Sequence, residues 1–218
     1  MKTLIFDSSS IISLSLNNLL DVLRLLKKKF DGRFLITPEV KREVVDVPLR
    51  IRRFELEALM ISKLIKDGVL GVAENPELKN ETEKFYQNAN SMYSAEGEKI
   101  KIVHYGEASC LALASLLKND VAIAVDERTT RMLCEKPENL KALMESKLHT
   151  VVSMDESRSS LFTSFRIIRS SELAYVALKS KLLQLPASDE QTLDALLFAL
   201  RFKGCAISRE EIEEIKHM

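Results

Sequence analysis

Four short apolar runs, each closed by polar residues and followed by a segment with helical periodicity, constrain this chain more than any other feature. They are Thr3–Phe6, Phe34–Thr37, Val121–Val125 and Thr150–Ser153, and Val69–Ala73 adds a possible fifth. Such runs read as buried strands. Strands alternating with helices predict an α/β fold, a three-layer sandwich whose central parallel sheet is covered by helices on both faces. At roughly 150 residues per domain, 218 residues make one full domain and an elaboration. Only 6 glycines and 5 prolines are present, which removes turn-dense all-β and collagen-like folds.

Helix boundaries carry their own chemistry. Thr37-Pro38 and Asn75-Pro76 each place a capping side chain before a proline at the first helical position. Ser188 with Gln191 and Ser208 with Glu211 form capping boxes in the last part of the chain, and Gly204 ends the first of those helices. Residues 75–101 are polar, with apolar residues too sparse for a buried face, so they are expected to form a protruding helical arm. From Ser170 onward leucines recur at helical spacing without a strand signal. The expected organisation is a domain over 1–160 and a helical extension over 161–218 packed on it.

Charge and cysteine usage exclude several classes. Lys plus Arg and Asp plus Glu number 32 each, so no global basic field exists and any nucleic-acid contact has to be local. Three cysteines without a C-x-x-C pair and three scattered histidines argue against structural zinc and a disulfide framework. The longest uncharged stretch, Ser8–Leu20, is 13 residues, where a membrane span needs about twenty. The opening segment lacks the features of a signal peptide, so a cytoplasmic, membrane-free protein is expected.

The acids then draw attention. In a parallel α/β sheet, ligands bind at the carboxyl ends of the strands. Asp7 ends the first apolar run and Asp126 the third, while Glu43 follows the second run and Glu107 opens a long apolar helix. Four carboxylates brought together would raise one another's pKa unless cations lay between them, and oxygen-only clusters select Mg²⁺ or Mn²⁺. Singly, each acid has a plainer role. Asp7 and Asp126 fit helix caps, Glu43 shares a charged helix with Glu39, and Glu107 favours a helix N-terminus electrostatically.

Taken together, the motifs resemble a PIN-domain nuclease of the stand-alone prokaryotic, archaeal-like kind. LIFDSSSII resembles the family's first motif, ITPEVKREVVD its second, GEASCLALA its third and VAIAVDERTTRMLCE its fourth. They occur in family order, with 36, 64 and 19 residues between successive acids. The resemblance implies a PIN-like sandwich and a divalent-metal-dependent ribonuclease that hydrolyses RNA or other single-stranded nucleic acid. It makes Asp7, Glu43, Glu107 and Asp126 metal ligands for Mg²⁺ or Mn²⁺, with Glu127 a fifth candidate and Ser9 a polar neighbour. Two positions depart from the family pattern: Glu107 stands where many members carry Asp, and Ala124 where many carry Thr or Ser.

Cations near the acids offer phosphate contacts: Arg128 and Arg131 after Asp126, Lys41 and Arg42 beside Glu43, and Arg50, Arg52 and Arg53 beyond. With 32 basic residues, such groupings also arise as solvated faces. Phe85, Tyr86 and Tyr93 are candidates for stacking unpaired bases, although two of the three are expected to pack inward. Besides RNA, the tail leucines admit a homodimer, and the acidic pocket admits a regulatory protein partner. Rival readings are a non-catalytic PIN-like binding protein and a toxin of a toxin–antitoxin pair. Length disfavours the toxin, because such proteins resemble the bare domain.

Overall fold

The computed structural model describes residues 2–217. β1 (Lys2–Phe6) runs into α1 (Ser8–Leu16) and α2 (Leu20–Lys29). β2 (Gly32–Ile36) leads into the single turn α3 (Pro38–Lys41), a π turn at Arg42–Asp46 and α4 (Glu55–Lys66). β3 (Gly71–Val72), α5 (Leu78–Ala89), β4 (Tyr93–Ala95) and β5 (Glu98–Lys99) follow, then α6 (Tyr105–Leu117) and β6 (Val121–Ala124). The remainder is α7 (Arg128–Glu135), α8 (Pro137–Leu148), β7 (Val152–Met154), α9 (Ser159–Phe162), β8 (Ile167–Ile168), α10 (Ser170–Lys179), α11 (Asp189–Phe202) and α12 (Arg209–Lys216).

Five parallel strands in the order β3-β2-β1-β6-β8 form the central sheet, with helices on both faces, as the alternation of runs predicts. β1 lies in the middle and buries Thr3 through Phe6 between the layers, where Phe6 meets Phe34 edge-on at 5.2 Å. Leu4 faces Phe34 on one side and Ala122 on the other. From β1 the chain moves outward to β2, whereas β6 continues in the opposite direction, so the strand order reverses between β1 and β6. A crevice at the carboxyl ends forms at such a reversal.

Thr150–Ser153 does not join this sheet. β7 pairs antiparallel with β4 in a second sheet of order β5-β4-β7, with Tyr93 opposite Met154. Its Val152 is buried and its Ser153 exposed, the signature of a strand covered on one face, while a central parallel strand is covered on both. The edge place next to β6 belongs to Ile167–Ile168, a pair too short to stand out between Arg166 and Arg169. Because β8 lies in the central sheet, residues 161–218 are not a purely helical appendage, and the boundary at 160 separates β8 from its own sheet.

The polar segment 75–101 is not a protruding arm either. α5 packs along α6, burying Leu78, Thr82, Phe85 and Ala89, a single stripe at i, i+4, i+7 and i+11. Four residues suffice because the opposite face needs only solvent. Phe85 sits between Phe162 and Phe165 at ring separations of 5.9 and 5.8 Å. Asn75 does not cap α5: its Oδ1 accepts from the Glu77 N–H in a turn, and the helix starts at Leu78, beyond Pro76.

The last two helices begin at Ser188 and Ser208. Ser188 accepts from the Gln191 N–H, and Ser208 and Glu211 cap each other's backbone groups. Gly204 ends α11 with φ +132, and a Cβ there would lie 2.6 Å from the Ser13 Oγ on α1, so glycine serves both the turn and the close approach. No single described helix is long and apolar enough to cross a membrane.

Phe85→Ala is expected to destabilise the protein by about 3–5 kcal/mol, measured by denaturant unfolding. A cost below about 1 kcal/mol would return residues 75–101 to an exposed arm.

Candidate functional site

Asp7 follows β1 directly. Its N–H donates to the Ala124 carbonyl of β6 at 2.9 Å, which ties its backbone to the reversal point. Asp7 also caps α1: its Oδ2 accepts from the Ser9 N–H at 3.0 Å and the Ser9 Oγ at 2.5 Å. The other oxygen, Oδ1, is buried without a hydrogen-bond partner. Burial pushes this carboxyl up to about 6, with Glu43 adding to the rise and the Ser9 hydrogen bonds opposing it. Ser9 is committed twice, since its Oγ also accepts from the Asp126 N–H at 3.0 Å. It braces the rim between two strand ends and has little left to offer a substrate.

Glu107 sits in the first turn of α6 and is 8% exposed. Its Oε2 accepts from the His104 N–H, so the plain role of a helix N-terminal acid is real. Burial and then the charge of Asp7 push the carboxyl up to about 8, with further contributions from Glu127 and Glu43. Glu127 lines the same cavity of about 290 Å³ as Glu107 and His104, and its Oε2 caps α7 through the Thr130 N–H.

Glu43 arrives from the other side of the sheet rim. Thr37 caps α3, and its hydroxyl meets the Ser109 Oγ of α6 at 2.6 Å, binding the end of β2 to that helix. The π turn then carries Glu43 onto Gly106. A Cβ on Gly106 would fall 2.6 and 2.7 Å from the two carboxylate oxygens of Glu43, so only glycine admits this approach. π turns of this kind recur at functional sites. Cys110, buried one turn further along α6, has its thiol pushed up first by burial and then by the charges of Asp7, Glu43 and Glu107.

Asp126 departs from the expected set. It is buried at the rim, but its Oδ1 accepts from the Ser170 N–H at 2.7 Å and its Oδ2 from the Ser170 Oγ. Both oxygens therefore hold the start of α10, a partner 44 residues away that no local pattern announces. Its backbone carbonyl accepts from Ala206, adding the tail to the same anchor. Among the described residues, no three His, Cys, Asp or Glu side chains stand close enough as placed to ligate one ion. The chemistry of the set nonetheless fits a hard divalent cation, because Asp7 Oδ1 is orphaned and the nearby donors are carboxylate oxygens. Asp7, Glu43, Glu107 and Glu127 are the side chains available to hold one.

Lys101 and Lys147 line the cavity of Glu107 and Glu127, whereas the cations marked in the sequence lie around it. Lys41 pairs with Asp46 at 2.9 Å, and Arg50, Arg52 and Arg53 are exposed on the segment leading to α4. Arg128 is exposed, and Arg131 is buried against Glu211 of α12 at 3.3 Å. Of the aromatic candidates, Phe85 and Tyr93 are buried, the latter donating to the Pro137 carbonyl, while Tyr86 packs on Tyr105 beneath Lys101. The sequence does not mark Gly106 or Ser170 as site residues, and Glu211, expected only as a cap, also holds Arg131 and Arg169. Gly106 alone had a signal, a glycine beside a candidate acid.

Compared with family models, curated proteins and solved structures, the chain matches none.

The raised carboxyls set a sign for pH dependence. Asp7 and Glu107 ionise near 3.8 and 4.5 when unperturbed, and near about 6 and about 8 in the folded chain. The folded state thus holds protons that the unfolded state releases, so their contribution to stability is complete at low pH and is lost as pH rises through the folded values. In chelator, the melting temperature is expected to fall between pH 5 and 8. Glu107→Gln should flatten the upper part of that fall. A wild-type profile already flat above pH 6 would mean that Glu107 is ionised in the fold.

Proposed function

We propose that the chain is a divalent-metal-dependent ribonuclease of the PIN type, acting in the cytoplasm. The observation that carries this reading is Asp7 at the β1–β6 reversal. Its unpartnered buried oxygen and its charge coupling to Glu43 and Glu107 support a cluster of crowded carboxyls that a divalent ion would complete. An acidic crevice without a cation would repel a phosphodiester. Bound Mg²⁺ or Mn²⁺ would supply charge neutralisation of the phosphate and Lewis-acid activation of water. The three buried cysteines are unpaired, in keeping with a reducing compartment.

The chain's own groups divide the remaining work. Ser9 orients Asp7, the His104 N–H fixes the Glu107 carboxylate, and Gly106 lets Glu43 approach from the opposite wall. Asp126, assigned to the metal by family resemblance, acts here as an anchor between the rim and α10. Substituting it by Asn disturbs α10 as well as any chemistry, so Asp7→Asn is the cleaner probe.

The test is cleavage of structured and unstructured RNA with Mn²⁺, Mg²⁺ or chelator. Wild type should cut only with metal, and Asp7→Asn should lose at least about tenfold. Gly106→Ala gains about 1 kcal/mol of helix propensity but displaces Glu43, so it should fold normally while losing cleavage and Mn²⁺-dependent thermal stabilisation together. Equal cutting by Asp7→Asn would remove the assignment.

The engagement of both Asp126 oxygens by Ser170 favours one second reading, a PIN-like binding module without catalysis. It requires that millimolar Mn²⁺ leave the melting temperature unchanged, since a ligand of the folded state raises it.

A further inference from the structure

The C-terminal helices build a second groove. It lies between α7 and the turn leading from α11 into α12, encloses about 480 Å³, and is lined by Arg128, Arg131, Lys136, Arg201 and Ser208 with Glu135 and Glu211. Arg131 is 7% exposed, yet its Nε and Nη1 are buried with no hydrogen-bond partner. Its nearest acids satisfy it poorly. Glu135 stands 3.9 Å from Nε, and the Glu211 oxygen at 3.3 Å from Nη2 is held more closely, at 2.7 Å, by Arg169. Arg128, Lys136 and Arg201 form no ion pair among the described residues, so the cations of this groove outnumber its carboxylates.

A buried guanidinium with orphaned donors is costly unless an acceptor-rich group completes it. Phosphate oxygens suit such a group. The groove also adjoins the acidic rim. Arg128 follows Glu127 directly, and Ala206, on the groove wall, donates to the Asp126 carbonyl at 3.0 Å. A strand passing over Glu127 would reach Arg128, its neighbour in the chain.

We propose that this groove is a phosphate-backbone subsite for single-stranded RNA, in which Arg131, Arg128, Arg201 and Lys136 hold phosphates flanking the position cleaved at the acidic site. The inference rests on the ribonuclease reading for its substrate, and it gives the tail a function: without α11 and α12, Arg201 and the far wall are missing. Each phosphate held by a cation contributes to the salt dependence of binding, about 0.7 in the slope of log K against log salt for single strands.

The experiment is fluorescence anisotropy of the full chain with a short unstructured RNA in chelator, across a salt series, so that binding is read without cleavage. Arg201 is half-buried at the groove edge, so Arg201→Gln should fold. It is expected to weaken binding several-fold and to reduce the slope by about 0.7. Lys63→Gln, which removes a charge from an exposed position on α4, should leave both unchanged. The proposal is overturned if wild type does not bind this RNA, if Arg201→Gln binds with the wild-type affinity and slope, or if Lys63→Gln weakens binding as much. It is equally overturned if polyglutamate, and not RNA, binds with dependence on Arg201, which would give the groove to an acidic protein partner. A lowered slope in Arg201→Gln beside a wild type that never cuts RNA with Mn²⁺ would remove the nuclease reading and leave the subsite standing.

Discussion

Two carboxyls withdrawn from water and set against each other, Asp7 and Glu107, are the constraint around which the rim of this fold is arranged. A buried acid ordinarily gives up its charge or finds a cation. Among the described residues neither acid forms an ion pair, and what each does have is a set of backbone and hydroxyl donors: Ser9 for Asp7, the His104 N–H for Glu107. Those donors favour the ionised forms, while burial and mutual repulsion favour the protonated ones. The net direction is upward for both carboxyls. That balance is one a divalent ion would reverse, and it explains why caps that look purely structural coincide with acids that look functional.

The same rim shows a division of labour that motif order hides. Asp7 and Asp126 leave neighbouring strands, yet only Asp7 keeps an oxygen unpartnered. Asp126 spends its two oxygens on Ser170 and its carbonyl on Ala206, and so ties β6, α10 and the segment after α11 into one unit. The Arg169–Glu211–Arg131 chain of ion pairs reinforces that attachment from the far side. The tail is thereby part of the rim's construction, and its Arg201 lines one groove with Arg128, Arg131 and Lys136.

Much of the architecture was legible because burial leaves a pattern in residue order. Thr3–Phe6 and Val121–Val125 read as strands since both of their faces are covered, and Thr37, Ser188 and Ser208 read as caps since capping acts within three residues. Residues 75–101 were misjudged for the converse reason: a helix covered along one narrow line needs so few apolar residues that its composition looks solvated. Thr150–Ser153 was assigned to the wrong sheet because a four-residue run does not say which neighbour it pairs with. The acids Asp7, Glu43 and Glu107 were located by their positions after strands or at a helix start, whereas Gly106 under Glu43 depends on two elements meeting at a distance no local sequence reports.

By itself the sequence determined the alternation of strands and helices, the helix starts and the candidate acids, all of which follow from interactions spanning a few residues. Tertiary structure alone decided that Ile167–Ile168 closes the sheet edge, that Ser170 claims Asp126, and that Arg131 meets Glu211. These depend on which groups come together across tens of residues. That is settled by the packing of whole elements, where burial makes every unpaired charge or donor costly enough to select its partner.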